Sequence, residues 1–238
     1  MKRMVQPEIL DTLSPDDPRA LRARRDLRRV NSRMGNVEIL VAALVKAQLP
    51  SAFSQARPQD TELGAGDGNF LLQLAQKIKV RQASSLSTSP EVNATLLDQK
   101  KNVSAETLAA FSKLGWRAEA VVADVFDWPQ SSEEIVVANL FLHHFENERL
   151  AELLQIISTR AKLFIALEPR RAPLPLFFSR MLWAIGCNEI TRHDAVVSVR
   201  AGFSGKELSA LWPDKQNWRL TERRAGLFSH LFVAQKIS

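Results

Sequence analysis

The stretch Thr61-Glu62-Leu63-Gly64-Ala65-Gly66-Asp67-Gly68-Asn69 decides the fold of this 238-residue chain. Residues 61–63 predict a strand, the three alternate glycines predict a sharp turn, and residues 69–79 predict a helix. Glycine suits a turn where the backbone bends sharply and where a ligand approaches without meeting a Cβ atom. The stretch therefore predicts a strand, a ligand-binding turn and a helix in succession.

Downstream of this turn, short apolar runs alternate with helical stretches, a pattern that predicts a parallel sheet with crossover helices. The last two predicted strands, 218–224 and 229–235, are separated only by residues 225–228, and so tight a connection makes neighbouring strands antiparallel. The other predicted strands are 61–63, 94–98, 118–123, 134–139 and 162–167, with helices at 69–79, 105–114 and 147–158.

Upstream of the turn, residues 1–58 are predicted to form a helical cover for a domain that spans residues 59–238. Seven arginines fall within residues 19–33, interleaved with apolar residues at helical spacing, so this part predicts a helix with a basic face. A second amphipathic helix is predicted at 37–49, ended by Pro50 and Pro58. Two interpretations of the basic face stay open: a solvated surface, or a surface for phosphate or an acidic partner.

The composition excludes several classes of protein. Cys187 is the single cysteine, which rules out an intrachain disulfide, and the spacing of the four histidines does not indicate a zinc site, so no metal is predicted. The first residues lack the apolar run of a secretory signal, and no apolar segment is long enough to cross a bilayer. A soluble, cytoplasmic protein is expected. Its oligomeric state cannot be predicted.

The glycine turn is preceded by an acid, in the pattern Glu62-x-Gly64-x-Gly66-x-Gly68. A dinucleotide fingerprint would instead read G-x-G-x-x-G. The pattern is similar to the first motif of S-adenosylmethionine enzymes, and the chain resembles the class I, Rossmann-like methyltransferases that act on small molecules, most clearly over residues 60–170. The resemblance implies an α/β fold with a seven-stranded, mostly parallel sheet, an antiparallel last strand and helices on both faces.

S-adenosylmethionine is the cofactor that this resemblance implies. At the end of the second predicted strand, Asp98 offers a carboxylate that can accept hydrogen bonds from both ribose hydroxyls. It lies 34 positions after Gly64, and a polar, Ser-rich loop predicted at 81–90 accounts for the long spacing. The resemblance implies that Asp124 binds the adenine amino group; a role as a turn cap is the alternative. The predicted cofactor-binding residues are Glu62, Gly64, Ala65, Gly66, Gly68, Asp98, Gln99, Asp124, Val125, Phe126, Asn139 and Leu140.

The segment Asn139-Leu140-Phe141-Leu142-His143-His144-Phe145 resembles the one that follows the fourth strand in small-molecule methyltransferases. Methyl transfer needs alignment of the acceptor and, where the acceptor must lose a proton, a base. Histidine suits that role at neutral pH, so His143 or His144 is the predicted base. A structural role for this pair is the alternative, and His193, beside Asp194, is a third and lower-ranked candidate.

The resemblance implies a substrate-cover insertion at residues 170–205, and the aromatic, leucine and methionine side chains of 173–185 suit an apolar, adaptable wall. An ordinary helix packed on the sheet is the alternative. The sequence thus favours methyl transfer to oxygen, or less favourably carbon, of a small apolar or aromatic acceptor such as a polyketide, quinone or phenol.

Two other functions compete with this prediction. An RNA methyltransferase fits the net charge of +6, but residues 139–142 lack the Asn/Asp-Pro-Pro-aromatic motif of amino-directed enzymes, so nucleic acid is an unfavoured partner. A non-catalytic partner subunit with the same fold is the second alternative. It is opposed by the presence of all three predicted cofactor acids.

Overall fold

The computed structural model describes residues 1–14, 16–47, 59–82, 92–128 and 133–237. Most of the predicted Ser-rich loop at 81–90 and the predicted helix break at Pro50 and Pro58 lie outside these described residues. The strands are β1 (Gln59–Leu63), β2 (Val92–Asp98), β3 (Trp116–Val122), β4 (Glu133–Asn139), β5 (Ala161–Pro169), β6 (Trp218–Ala225) and β7 (Ser229–Lys236).

The strands form one seven-stranded sheet in the order β3-β2-β1-β4-β5-β7-β6. Strands β1 to β5 pair in parallel, whereas β7 is antiparallel to both β5 and β6. The short connection after Ala225 explains this arrangement, since a turn of three residues returns the chain directly beside β6. The predicted fold class, with its antiparallel last strand, is therefore confirmed.

Helices cover both faces of the sheet, as predicted. One apolar core joins Leu40, Leu71 and Phe111 to the sheet, and the other joins Leu150 and Leu208 to the opposite face. The helices are α1 (Ile9–Thr12), α2 (Pro18–Met34), α3 (Asn36–Lys46), α4 (Asn69–Gln82), α5 (Ala105–Lys113), α6 (Asn147–Arg160), α7 (Pro173–Arg180), α8 (Glu189–Ala201) and α9 (Glu207–Leu211).

The N-terminal helices occupy two different places. Helix α3 belongs to the layer on the sheet, because Leu40 and Val41 are part of the same core as β5. Helices α1 and α2 instead pack on α8, where the buried carboxylate of Asp26 accepts the backbone N–H of Asn188 at 2.8 Å. Gly35, with φ of 69°, makes the sharp break between α2 and α3. In the described part of the chain, no helix is long and apolar enough to cross a membrane.

Candidate active site

The glycine turn after β1 lies against the loop after β4. Gly64 has φ of 65°, and a Cβ atom there would lie 2.2 Å from Cδ2 of Phe141, so only glycine lets the two loops approach this closely. Gly66, with φ of 56°, has open space where its Cβ would be, and its N–H donates to Asp98 Oδ2 at 2.9 Å. Gly68 serves packing instead, since a Cβ there would lie 2.9 Å from Leu96.

A cavity of about 720 Å³ opens at the carboxyl ends of the parallel strands, where α/β sheets bind their ligands. Its volume lies within the range of cofactor and small-molecule sites. Helices α1 and α2 form the opposite wall, through residues such as Asp11, Leu21 and Arg28. Eleven of the predicted site residues line it: Glu62, Gly64, Ala65, Gly66, Asp98, Gln99, Val125, Asn139, Leu140, His143 and His144.

Glu62 is the buried acid of the cavity wall, with an exposed fraction of 2%. Burial, aided by the negative charges of Asp67 and Asp98, raises the pKa of Glu62 well above its ordinary value. Its Oε2 atom has no hydrogen-bond partner among the described residues. An unpaired buried carboxyl oxygen is costly unless a ligand satisfies it, so Glu62 indicates a binding site for a hydrogen-bond donor or a cation.

The two acids that follow β2 and β3 have different surroundings. Asp98 lines the cavity, and its carboxylate accepts backbone N–H groups from Gly66 and Lys100 at 2.9 and 2.8 Å. Asp124 caps the 3₁₀ turn after β3 by accepting the N–H of Phe126 at 2.9 Å, and it also accepts from Gln99 Nε2 at 2.8 Å. Neither Asp124 nor Phe126 lies among the described residues that line the cavity, so the capping alternative describes the contacts of Asp124.

The loop after β4 is fixed from two sides. Asn139 Oδ1 accepts from Asn36 Nδ2 at 2.9 Å, which ties the end of β4 to α3. Leu140 has φ of 56°, rare for a residue with a side chain, and its N–H donates to Leu167 of β5 at 2.8 Å. The loop therefore turns sharply into the cavity. Such strain is typical of functional loops that the surrounding structure holds in place.

Glu168, at the end of β5, holds the next turn of this loop. Its buried carboxylate accepts the backbone N–H groups of Phe141, Leu142 and His143 at 3.0, 2.8 and 3.3 Å. The same carboxylate lies 2.8 Å from His143 Nδ1. The histidine pair thus sits on a 3₁₀ turn (Leu142–His144) that one buried acid anchors.

His143 lies between two carboxylates. Its second ring nitrogen, Nε2, lies 3.4 Å from Oε1 of Glu8, which the N-terminal segment brings to the cavity wall. Burial opposes protonation of His143, but the hydrogen bonds and charges of Glu168 and Glu8 outweigh it and raise the pKa of His143 to about 9. His143 is therefore an imidazolium at neutral pH. It has no lone pair with which to act as a base.

His144 is the member of the pair that can accept a proton. Burial and the positive charge of His143 lower the pKa of His144 below its ordinary value, although Asp11, 3.6 Å from His144 Nδ1, acts in the opposite direction. The two rings are tilted by 34° with respect to each other, and their centroids are 4.3 Å apart. His144 lines the cavity and is neutral at pH 7. These pKa shifts favour His144 over His143 as the base, and the assignment of a base stays a prediction.

Potential ligand atoms of Glu8, His143 and His144 lie within 4.8 Å of one another, a spacing that metal sites also show. A metal ion bound at His143 would have to displace the proton that the two neighbouring carboxylates favour. The carboxylates on both sides of His143 make this cluster an ion-pair network.

Comparisons with known proteins agree with this architecture. The structure of the plantazolicin methyltransferase BpumL in complex with SAH is similar with a TM-score of 0.63 and 11% identity, over 93% of this chain and 92% of that one. An O-methyltransferase family protein from Burkholderia thailandensis is similar with a TM-score of 0.60 and 18% identity, over 94% of this chain and 61% of that one. The pyocyanin biosynthetic protein PhzM is similar with a TM-score of 0.61 and 14% identity, over 93% of this chain and 60% of that one.

The chain has the class I methyltransferase fold. It spans about three fifths of the length of the last two of these structures. No protein-family profile matches the sequence, and no curated protein matches it.

Within the class I methyltransferase fold, the third predicted base is placed away from the cavity. His193 is half exposed on α8, and its Nδ1 lies 2.9 Å from Asp194 Oδ1. The Asp194 carboxylate accepts the N–H groups of Ile9 and Leu10 at 2.9 and 3.0 Å, so it anchors α1. His193 is not among the described residues that line the cavity, so the geometry does not favour it as a catalytic residue.

Two residues of the site, Glu8 and Glu168, were not predicted from the sequence. Glu8 precedes the basic helix by many residues and carries no motif, so nothing in the sequence pointed to it. Glu168 could have been noticed, because an acid at the end of the buried run of β5 lies at the ligand-binding edge of the sheet. Its four contacts with the loop after β4 appear only in the folded chain.

Proposed function

We propose that this chain is an S-adenosylmethionine-dependent methyltransferase that transfers a methyl group to oxygen, or less favourably carbon, of a small apolar or aromatic acceptor. The observation that carries the proposal is the unpaired, buried Oε2 of Glu62 beside the open backbone of Gly66, in a cavity at the carboxyl edge of the sheet. A ligand with a cationic amino group, a ribose and a purine fits this arrangement.

The residues of the cavity wall match the parts of the cofactor. Glu62 would hold the ammonium group of the methionine moiety. Because Gly66 has no side chain, the methionine moiety would have room to lie against the backbone there. Asp98 keeps free lone pairs that would accept from the ribose hydroxyls. Val125, only 4% exposed, would lie against the adenine ring. When bound, the cofactor supplies an electrophilic methyl carbon on a sulfonium.

The chain's own residues then position the acceptor and remove its proton. His144, neutral at pH 7, accepts the proton of an acceptor hydroxyl as that oxygen attacks in line. His143 is a positioning residue, since its imidazolium is fixed between Glu8 and Glu168 and keeps the turn that carries His144 in place. Its positive charge also favours the neutral form of His144.

The rest of the cavity supports the proposed chemical class of the acceptor. Apolar side chains from α1 and α2, such as Leu10 and Leu27, line the side opposite the glycine turn, and Phe141 of the loop after β4 adds an apolar surface beside Gly64. We propose that α1 and α2, held by α8, form the cover over the acceptor. The named structures with the same fold include a pyocyanin biosynthetic protein and a mitomycin 7-O-methyltransferase, which supports a small acceptor of this type.

Calorimetric titration with S-adenosylhomocysteine tests the cofactor assignment. Glu62→Gln is expected to weaken binding by roughly 10-fold to 100-fold, the usual effect of losing a charged hydrogen bond. The matched control Glu106→Gln alters an exposed acid on α5 and should bind like the wild-type protein. Absence of binding by the wild-type protein would refute the assignment.

Binding should also depend on pH. Because the pKa of Glu62 is raised in the free protein, an ammonium ligand must displace a proton from it. Affinity should therefore rise with pH until Glu62 is ionised without ligand. Glu62→Gln should lose this dependence.

Turnover is then sought by mass spectrometry with a panel of phenols, quinones and hydroxylated polyketides. Binding of the cofactor product without any methylated acceptor would favour the non-catalytic alternative.

A further inference from the structure

An apolar stripe runs along the outside of α7. Leu174, Phe177, Phe178 and Met181 follow the i, i+3, i+4, i+7 spacing that normally marks a core-facing helix. Here this stripe is exposed, with Phe177 at 55%, whereas Ser179 on the same helix is buried. The amphipathic pattern of α7 is thus inverted with respect to the protein core.

The exposed surface extends on both sides of the helix. Trp183 and Ile185 of the 3₁₀ helix that follows are 62% and 45% exposed. Phe178 contacts Phe228 edge to face at 5.6 Å, next to the exposed Leu227 in the turn between β6 and β7. Exposed aromatic groups in this number indicate an interaction site. We call this surface the apolar patch: Leu174, Phe177, Phe178, Met181, Trp183, Ile185 and Leu227.

A basic surface lies at the end of this patch. Helix α2 carries seven arginines and a single acid, Asp26, which is buried against α8. Helix α2 contacts the segment after Ile185 in two places. Asn188 Nδ2 donates to the backbone carbonyl of Arg19 at 3.1 Å, and the side-chain Nη2 of Arg29 lies 3.7 Å from Cys187 Sγ. The exposed arginines away from the cavity form what we call the basic stripe: Arg19, Arg22, Arg25, Arg29 and Arg33.

The charge around the apolar patch is mainly positive, although Asp17 pairs with Arg19 at 2.8 Å and Glu189 lies beside Arg19 and Arg22. Residues 169 to 188 contain no Asp or Glu, while Arg170, Arg180 and Arg224 lie on or beside the patch. Arg224 Nε donates to the carbonyl of Gly226, directly before Leu227. Apolar side chains surrounded by arginine are the arrangement of segments that insert into the headgroup region of anionic membranes.

We propose that the apolar patch and the basic stripe together form a docking surface for an anionic lipid bilayer. The aromatic and aliphatic side chains enter the interface, and the arginines contact lipid phosphates. Charge complementarity decides for this occupant, because a second copy of the chain would place arginine against arginine. The inference goes beyond the proposed methyl transfer, and its test does not depend on activity.

Vesicle flotation tests the proposal with the full chain. The wild-type protein should float with vesicles of phosphatidylcholine containing phosphatidylglycerol at low salt, and far less with phosphatidylcholine alone. Trp183→Ser and Arg22→Glu should each weaken partitioning by at least about 10-fold, since one basic residue near the surface contributes roughly 5-fold and a reversal counts twice.

Two matched variants control for general effects of charge and hydrophobicity. Val80→Ser removes an apolar side chain that is 71% exposed on α4, and Arg219→Glu makes the same charge reversal at the opposite end of β6. Both should partition like the wild-type protein, and melting temperatures verify that all variants are folded. Equal loss in test and control variants would overturn the proposal, as would binding of a single-stranded RNA, or self-association abolished by Trp183→Ser, without any binding to anionic vesicles.

Discussion

The Glu168–His143 pair and the Glu222–His230 pair are built from the same parts. In each, a buried carboxylate lies 2.8 Å from a ring nitrogen of a buried histidine. Each carboxylate also accepts backbone N–H groups of a short helical turn; for Glu222 these belong to Leu208 at 3.1 Å and to its neighbour at 2.7 Å. Both pairs therefore fasten a turn to a strand of the sheet.

The two pairs differ in what reaches the far side of the imidazole. His143 borders the large cavity and has a second carboxylate, Glu8, at 3.4 Å, whereas Glu222 and His230 are absent from the described lining of that cavity. A glutamate–histidine pair is therefore no sign of catalysis by itself. A third group and a cavity give the Glu168–His143 pair its role in the site.

The largest effect is expected when either acid loses its charge. Glu168→Gln and Glu222→Gln should each lower the free energy of unfolding by roughly 3–5 kcal/mol. In each variant, the buried histidine and the backbone N–H groups lose the carboxylate that they contact. Urea denaturation measures both. Only Glu168→Gln should also weaken S-adenosylhomocysteine binding, because its turn lines the cavity. Equal loss of binding in the two variants would show that the pairs do not differ as proposed.

The next largest effect is expected in the pH dependence of stability, which should report the protonation of His143. His143 has a folded pKa of about 9 and an ordinary value of 6.5, so its protonated form stabilises the folded state. This contribution, about 3 kcal/mol, is fully present below pH 6.5 and is lost as the pH rises through 9. Urea denaturation across this range should show the loss in the wild-type protein and in His193→Asn. His143→Asn should lack it; if it shows the same slope, another group is responsible.

Removing Glu8 should make the first pair resemble the second. Glu8→Gln leaves His143 with one carboxylate, so the pKa of His143 should fall by roughly 1, the lower end of the effect of a nearby opposite charge. The imidazole proton resonances followed by NMR titration report this value directly. An unchanged pKa would mean that Glu168 alone holds the proton.

The smallest change in stability is expected at His144, which is partly exposed and outside the ion pair with Glu168. His144→Gln should alter the free energy of unfolding by less than about 1 kcal/mol. Product formation should nevertheless fall by roughly 100-fold or more, as expected for the loss of a general base. Retention of full activity in this variant would leave catalysis to positioning alone.

Much of the fold was readable from the sequence, because it depends on local patterns. The glycines after β1 permit the left-handed backbone that the turn needs. The apolar runs of β4 and β5 predict strands that are buried on both faces. The short connection before Ser229 makes β7 antiparallel to β6. The same local logic located Glu62 and Asp98, since the ends of consecutive parallel strands meet at one edge of the sheet.

The roles of His143 and His144 required the tertiary structure. Adjacent residues of the same type are equivalent in sequence, and their pKa values diverge only because Glu8 and Glu168, 135 and 25 positions from His143, contact one ring and not the other. The position of His193 away from the cavity lining also required the tertiary structure, in which its partner Asp194 anchors α1.

The sequence by itself determined that Glu62 to Gly68 forms a glycine-rich turn between a strand and a helix, that the sheet is mostly parallel, and that α2 has a basic face. Only the tertiary structure decided which histidine is cationic, which surface of α7 is exposed, and that the arginines of α2 lie beside it. Periodicity and turn chemistry act over a few residues, whereas burial, charge pairing and surface continuity depend on contacts between distant parts of the chain.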